Sequence, residues 1–187
     1  MQHKIKVTLK NGRTAVIREA NEDDAPAFLA YIQLTAAESD FMVSLPDEVA
    51  NLSVPYAAAV IRMNDDPIST MLMAFVDGKL AGTCSYAAKS QWRKIRHRAE
   101  LGISVAKAYW GLGLASALID QALAFATAFG ITQMELGVFS GNTRALALYE
   151  HKGFEHIGLI PRAAILDDGT AFDEHRMLKI LADASDA

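Results

Sequence analysis

The stretch from Tyr109 to Asp120, YWGLGLASALID, sets two glycines two residues apart between a strand-like run and a long apolar-faced helix. A turn of this kind lets backbone N–H groups close around an anion, and the helix N-terminus adds unsatisfied donors and about half a positive charge. A bound phosphate and a tight structural turn packed with small residues are both compatible with it. Position narrows the choice. The loop follows an antiparallel meander, past the middle of the chain, and only one helix-bridged strand pair comes after it. A doubly wound dinucleotide-binding sheet carries its glycine turn in the first βαβ unit and has no room to finish here. The third glycine of G-x-G-x-x-G is Ser116, although Glu135 falls near the spacing of that motif's acidic partner. No Gly-Lys-Ser/Thr follows, which excludes a P-loop.

The rest of the chain supplies the frame. Alternating runs around Asn11-Gly12 predict a hairpin. Asp23 or Asp24 is placed to cap a helix with Pro26 in its first turn, turning Phe28, Ile32 and Leu34 or Thr35 inward. Residues 39–53 read as irregular around Pro46, and a second helix runs from about Val54 to Met63, ended by NDDP. TMLMAFVD and LAGTCSYAA form a hairpin across Asp77-Gly78, and the basic KSQWRKIRHR leads into the strand AELGISVAK. The loop helix extends to about Phe129, with Gly130 at its C-terminus. TQMELGVF is a strand, Asn142 to Lys152 a short helix closed by Gly153, and the last two strands flank DDGT; residues 182–187 read as a frayed tail. The expectation is a single domain over residues 1–187 with a core of about 14–180. Its class is α/β, a mixed sheet with helices on both faces and a cleft in the second half.

A net charge of −4 gives no general attraction to nucleic acid or to an anionic membrane surface. Cys84 is the only cysteine, so no intrachain disulfide and no cysteine-rich zinc site can form. The five histidines lack metal-ligand spacing, and no metal is implied. No window approaches ~18 uncharged apolar residues, and the start lacks the apolar core of a signal peptide. A cytoplasmic setting is expected.

ISVAKAYWGLGLASALI resembles motif A of the GNAT superfamily of N-acetyltransferases, Q/R-x-x-G-x-G/A between a strand and a helix. Trp110 stands where Gln or Arg is usual, while Gly113 and Ala115 match. FSGNTRALALYEHKGFEHIG is similar to motif B, with Asn142, Ala145, Leu148, Tyr149, Gly153 and Phe154 in register. VIREANEDDAPAFLAY resembles the family's opening strand and helix, so the likeness spans about residues 14–180.

The resemblance implies the GNAT fold: a mixed, mostly antiparallel twisted sheet of about seven strands flanked by about four helices, its central strands splayed to hold coenzyme A. It implies acetyl-CoA as co-substrate and acetyl transfer to an amine without a covalent intermediate. Ile103 and Val105 would offer main-chain contacts to the pantetheine arm. Trp110, Gly111, Leu112, Gly113, Leu114, Ala115 and Ser116 would cradle the pyrophosphate through N–H groups, small because side chains would block the approach. Lys107 either adds charge near the phosphates or is solvated. Asn142 both caps its helix and contacts the cofactor. Tyr149, with a reference pKa near ~10, would protonate the departing thiolate, or else pack as a core tyrosine beside Phe154. Glu100 is the candidate base, with a structural pairing to an arginine as its alternative. The N–H of Val105 would polarise the thioester carbonyl. The acceptor should lie between the first two helices and the opposing strands, with Tyr31, Glu38 and Phe41 on its side. The expected partner is a small-molecule amine, with a protein N-terminus or lysine as the runner-up. A coenzyme A-binding regulatory module without turnover is the reading from a different class. No membrane partner is expected, the Lys89–Arg98 run reads as a solvated loop rather than a nucleic-acid footprint, and a homodimer is left open.

Overall fold

Hairpin turns and alternating strands build one sheet. The computed structural model describes residues 4–62 and 68–181. Its strands are β1 (Ile5–Thr8), β2 (Thr14–Glu19), β3 (Thr70–Val76), β4 (Lys79–Ala88), β5 (Arg98–Val105), β6 (Gln133–Phe139), β7 (Glu155–Ile165) and β8 (Ala171–Ile180). The helices are α1 (Ala25–Glu38), α2 (Pro46–Ala50), α3 (Val54–Arg62), α4 (Leu114–Ala128) and α5 (Thr143–His151). Spatial order is β1-β2-β3-β4-β5-β6-β8-β7. Only β5 and β6 run parallel; the other neighbours are antiparallel. The sheet therefore has eight strands where about seven were expected.

The fifth helix is the other difference. Residues 46–50 are helical because Pro46 suits a first turn and the Glu48 carboxylate accepts the Leu45 N–H at 2.8 Å. Neither Asp23 nor Asp24 caps α1 by a side-chain bond. Asn21 accepts the Asp23 N–H, and Asp24 accepts the Asn21 N–H at 2.9 Å. Arg18 holds the same Asp24 carboxylate with two bonds of 2.6 and 2.7 Å. On α1 the inward residue is Thr35, not Leu34, which is exposed. The expected NDDP stop and the frayed tail lie outside the described residues.

Two helices clamp the sheet from opposite sides. Leu118 on α4 packs on Gly82, where an added β-carbon would sit 3.0 Å from Leu118 Cδ1. Tyr31 on α1 bonds Ser104, which itself bonds Thr83, so α1 covers the other face. Leu114, Leu118, Ile119, Ala122 and Ala126 form a fully buried stripe along α4.

The functional consequence comes from the one parallel pair. β5 pairs with β6 only at Arg98, Ala99 and Glu100, opposite Gln133, Met134 and Glu135. Beyond that point β5 stays with β4 and β6 with β8, so the two central strands diverge.

Where they still touch, a chain of charges crosses the sheet. Lys89 bridges Glu100 and Glu135 at 2.9 and 3.1 Å, Arg98 reaches Glu135 at 2.6 Å, and Arg176 reaches Glu100 at 2.9 Å. Burial pushes the Glu135 and Glu100 carboxyls up, but the bonds and charges of these cations outweigh it and leave both below their ordinary 4.5. Asp24 is lowered in the same way against Arg18. A carboxyl depressed on folding contributes stability that is complete above its unfolded pKa and lost as pH falls through the folded one. Urea midpoints should therefore be flat from about pH 7 to 5 and fall steadily below about 4.5. Glu135→Gln should be less stable at neutral pH and show a shallower acid limb. An acid limb as steep as the parent's would remove Glu135 from this account.

Candidate active site

Two clefts open on the two sides of the divergence. The larger, of about 610 Å³, is lined by the end of β5, the glycine loop, the start of α4 and α5. The smaller, of about 380 Å³, lies between α1, the residues 41–43 loop, β5, β6 and β8. Phe41, Met42, Ile103, Ser104, Asn142 and Tyr149 line both, so the clefts meet there.

In the larger cleft the loop is shaped by backbone conformation. Gly111 and Gly113 hold φ of 74° and 87°, the left-handed region where a β-carbon is strained. A β-carbon at either position would meet no protein atom within 4 Å. The glycines are required first by φ, and the space above them is open for a ligand. Ala106 N–H bonds Ala81 on the β4 side, so strand alternation turns the peptide groups of Val105 and Ile103 toward the gap. One of those groups is already used. The Val105 carbonyl accepts the Trp110 indole N–H at 2.6 Å, which leaves the Val105 N–H facing the gap.

Trp110 explains its own departure from the Gln/Arg pattern. Its indole ties the loop back to β5, and its ring carries the Arg144 guanidinium 3.4 Å from the centroid. Ile103, Val105, Trp110, Gly111, Gly113, Leu114, Ala115, Ser116 and Asn142 all line this cleft. Leu112 does not: its carbonyl accepts the Lys10 N–H, and its side chain packs on the core. Lys107 also lies outside, with its Nζ 5.9 Å from the Trp110 ring. Lys10 and Arg144 are the cations that do line it. Arg144 sits inside the NTRALALY segment, a signal available in the sequence. Lys10 arrives only because the β1–β2 turn folds against Leu112.

Tyr149 sits at the junction. It packs edge-on against Phe154 with centroids 6.0 Å apart, and its hydroxyl bonds no described residue. Burial, with the neighbouring Cys84, pushes its pKa above the ordinary phenol value, so it stays protonated. Asn142 accepts the Ala145 N–H at 3.2 Å and so caps α5 while lining both clefts. Cys84 is buried and its thiol is pushed up by burial, so it is no ready nucleophile.

On the acceptor side, Tyr31 and Phe41 line the smaller cleft. Burial raises the Tyr31 phenol, which bonds Ser104 Oγ at 2.9 Å. Glu38 does not line it; its carboxylate accepts the Lys107 N–H at 2.7 Å and braces the turn before the loop. α3 contributes no lining residue, so the cleft faces α1 and the loop after it rather than the first two expected helices. Glu100 lines neither cleft. Its face is shared with Gly102 and Ser104, as alternation requires, but both carboxylate oxygens are taken by Lys89 and Arg176. Glu135 is occupied by Lys89 and Arg98 and has no freedom to meet a ribose.

The family profile described as acetyltransferase (GNAT) matches residues 32–154. The chain belongs to the GNAT acetyltransferase family. A crystal structure of a GNAT-family acetyltransferase from Streptococcus pneumoniae is 30% identical, with a TM-score of 0.83 over 90% of this chain and 99% of that one. The L-amino acid N-acetyltransferase AaaT of Escherichia coli (strain K12) is 29% identical over 120 residues, 64% of this chain and 73% of its own. A GNAT superfamily phosphinothricin acetyltransferase from Sinorhizobium meliloti, solved in complex with AcCoA, shares the fold. Its TM-score is 0.79 at 19% identity, over 97% of this chain and 92% of that one. In this GNAT acetyltransferase the two clefts thus lie on either side of the divergence of β5 and β6.

Proposed function

We propose that the enzyme moves the acetyl group of acetyl-CoA directly to a primary amine of a small molecule, in a ternary complex. The observation that carries this is the meeting of two clefts at Tyr149, Ser104 and Asn142, one bordered by the glycine loop, Lys10 and Arg144 and one by α1, Phe41 and Glu174. The AcCoA complex of the Sinorhizobium neighbour and the amino-acid acceptor named for AaaT support the same division.

The residues suit the cofactor. The pyrophosphate would meet N–H groups of the 110–116 loop and the N-terminus of α4, where Gly111 and Gly113 leave open space. Lys10 and Arg144 line the same cleft and would neutralise phosphate charge. The free N–H of Val105 is the donor suited to the thioester carbonyl. The neutral amine nitrogen attacks that carbonyl carbon, the carbon–sulfur bond breaks, Tyr149 gives its proton to the leaving sulfur, and the proton that nitrogen sheds returns through water to the phenolate. Glu100, held outside both clefts by two cations, acts in the charge chain rather than as the base.

Coenzyme A at ~100 Kd should stabilise the protein by ~2.7 kcal/mol, and NAD should not. A screen of amines, polyamines, amino acids and peptides should release free thiol with small amines. Stabilisation by NAD alone would refute the cofactor reading, and thiol release with peptides alone would refute the acceptor.

A further inference from the structure

Among the described residues, Glu174 is the only charged side chain lining the smaller cleft. It stands on β8 opposite Phe139, at the end of the sheet where β5 and β6 have separated. Its Oε1 accepts a bond from Arg176 Nη1 at 2.8 Å, while Oε2 bonds no described residue. Arg176 in turn holds Glu100, which Lys89 shares with Glu135, which Arg98 closes. Three carboxylates and three cations balance, and Glu174 is the member at the cleft end.

Gly137 makes that position possible. A β-carbon there would overlap Glu174 Oε1 and lie 2.6 Å from its Cδ and 2.9 Å from Arg176 Nη1. The backbone of Gly137 has no positive φ to explain its glycine. What the missing side chain leaves is room for the carboxylate and its guanidinium to lie across β6. Around them the cleft is aromatic and apolar: Phe41 and Phe139 line it, and Phe172 contacts both rings, at 5.8 and 6.1 Å between centroids.

We propose that Glu174, held by Arg176 over Gly137, receives the ammonium group of the acceptor, so that the enzyme selects cationic amines carrying an apolar or aromatic body. Arg176 takes one oxygen of this carboxylate and leaves Oε2 able to accept a further charge-assisted bond from an incoming ammonium, and the aromatic rings beside it suit the body that follows. This rests on the smaller cleft being the acceptor site.

The test uses the full chain saturated with coenzyme A, titrated calorimetrically with 2-phenylethylamine and with 2-phenylethanol, which differ only in the charged group. The parent should prefer the amine by about tenfold, the size expected of one charge-assisted hydrogen bond. Glu174→Gln should abolish the preference, and Gly137→Ala, which leaves every charge in place but displaces the carboxylate and its guanidinium, should weaken it. Coenzyme A affinity should be unchanged in both. Equal affinity of the parent for the two ligands, binding of neither, or a preference that survives Glu174→Gln would overturn the inference. Failure of coenzyme A to bind would instead remove the function on which it rests, and coenzyme A stabilisation in the parent separates the two results.

Discussion

Replacing Tyr149 by Phe should lower kcat by about 10²–10⁴-fold, the range for loss of a positioned general acid, with the affinity for acetyl-CoA unchanged. The ring is retained, so the edge-on contact with Phe154 survives. The hydroxyl bonds no described residue, so its removal strands no partner and costs little stability. Steady-state kinetics with the best amine, beside coenzyme A thermal shifts, make the measurement. An unaltered kcat would show that sulfur takes its proton from solvent. The pH profile adds a sign. Burial raises the Tyr149 pKa above its ordinary value of 10.0, so the acid form persists across neutral pH. A loss of kcat between about pH 7 and 9 must belong to another group.

Leu118→Ala should remove ~3 kcal/mol of stability, the middle of the range for a fully buried leucine, out of a total near ~5–15 kcal/mol. Leu118 is 0% exposed and packs on Gly82 beneath the helix that begins at the glycine loop. For a chain of this length the melting midpoint should fall by ~8 °C. Coenzyme A at ~100 Kd should restore ~2.7 kcal/mol, most of the loss. If the ligand gave no recovery, the start of α4 would have moved with the cavity, and loop and core would be one mechanical unit. Recovery would show the loop to be set by its own glycines and by Trp110.

Much of the frame was legible in the residues because it is local. Asn11-Gly12 and Asp77-Gly78 dictate hairpins through the left-handed backbone each turn needs; φ is positive at Gly12, Asp77 and Gly78. The α4 stripe, the Gly130 terminus and the Asn142 cap follow from spacings of a few residues. Two departures came from side chains competing for the same backbone groups. Asn21 took the bond expected of Asp23 or Asp24 because Arg18, brought in by β2, claimed the Asp24 carboxylate. Pro46 opened a short helix rather than breaking the chain because it suits a first turn and the Glu48 carboxylate accepts the Leu45 N–H.

The site divides along the same line. Gly111, Gly113, Asn142 and Tyr149 stood out by motif spacing, and the family and its fold could be read from them. Trp110 reads as a mismatch in one dimension. In three it is a tether, since its indole reaches a carbonyl five residues back and its ring meets Arg144 from another helix. Glu100 and Glu38 looked available because sequence shows a charge without its partners. The partners, Lys89, Arg176 and the Lys107 N–H, come from other strands and turns. Glu174 is the converse, an acidic residue in an ordinary alternating strand that became a cleft carboxylate through strand pairing alone.

The sequence by itself therefore determined most of the elements, the family and the glycine turn, because each depends on residues within a short window. Only the tertiary structure decided which charges are spent and which face a ligand. That depends on where β5 and β6 part, after three paired residues, and on which side chains the register of β8 carries into the gap.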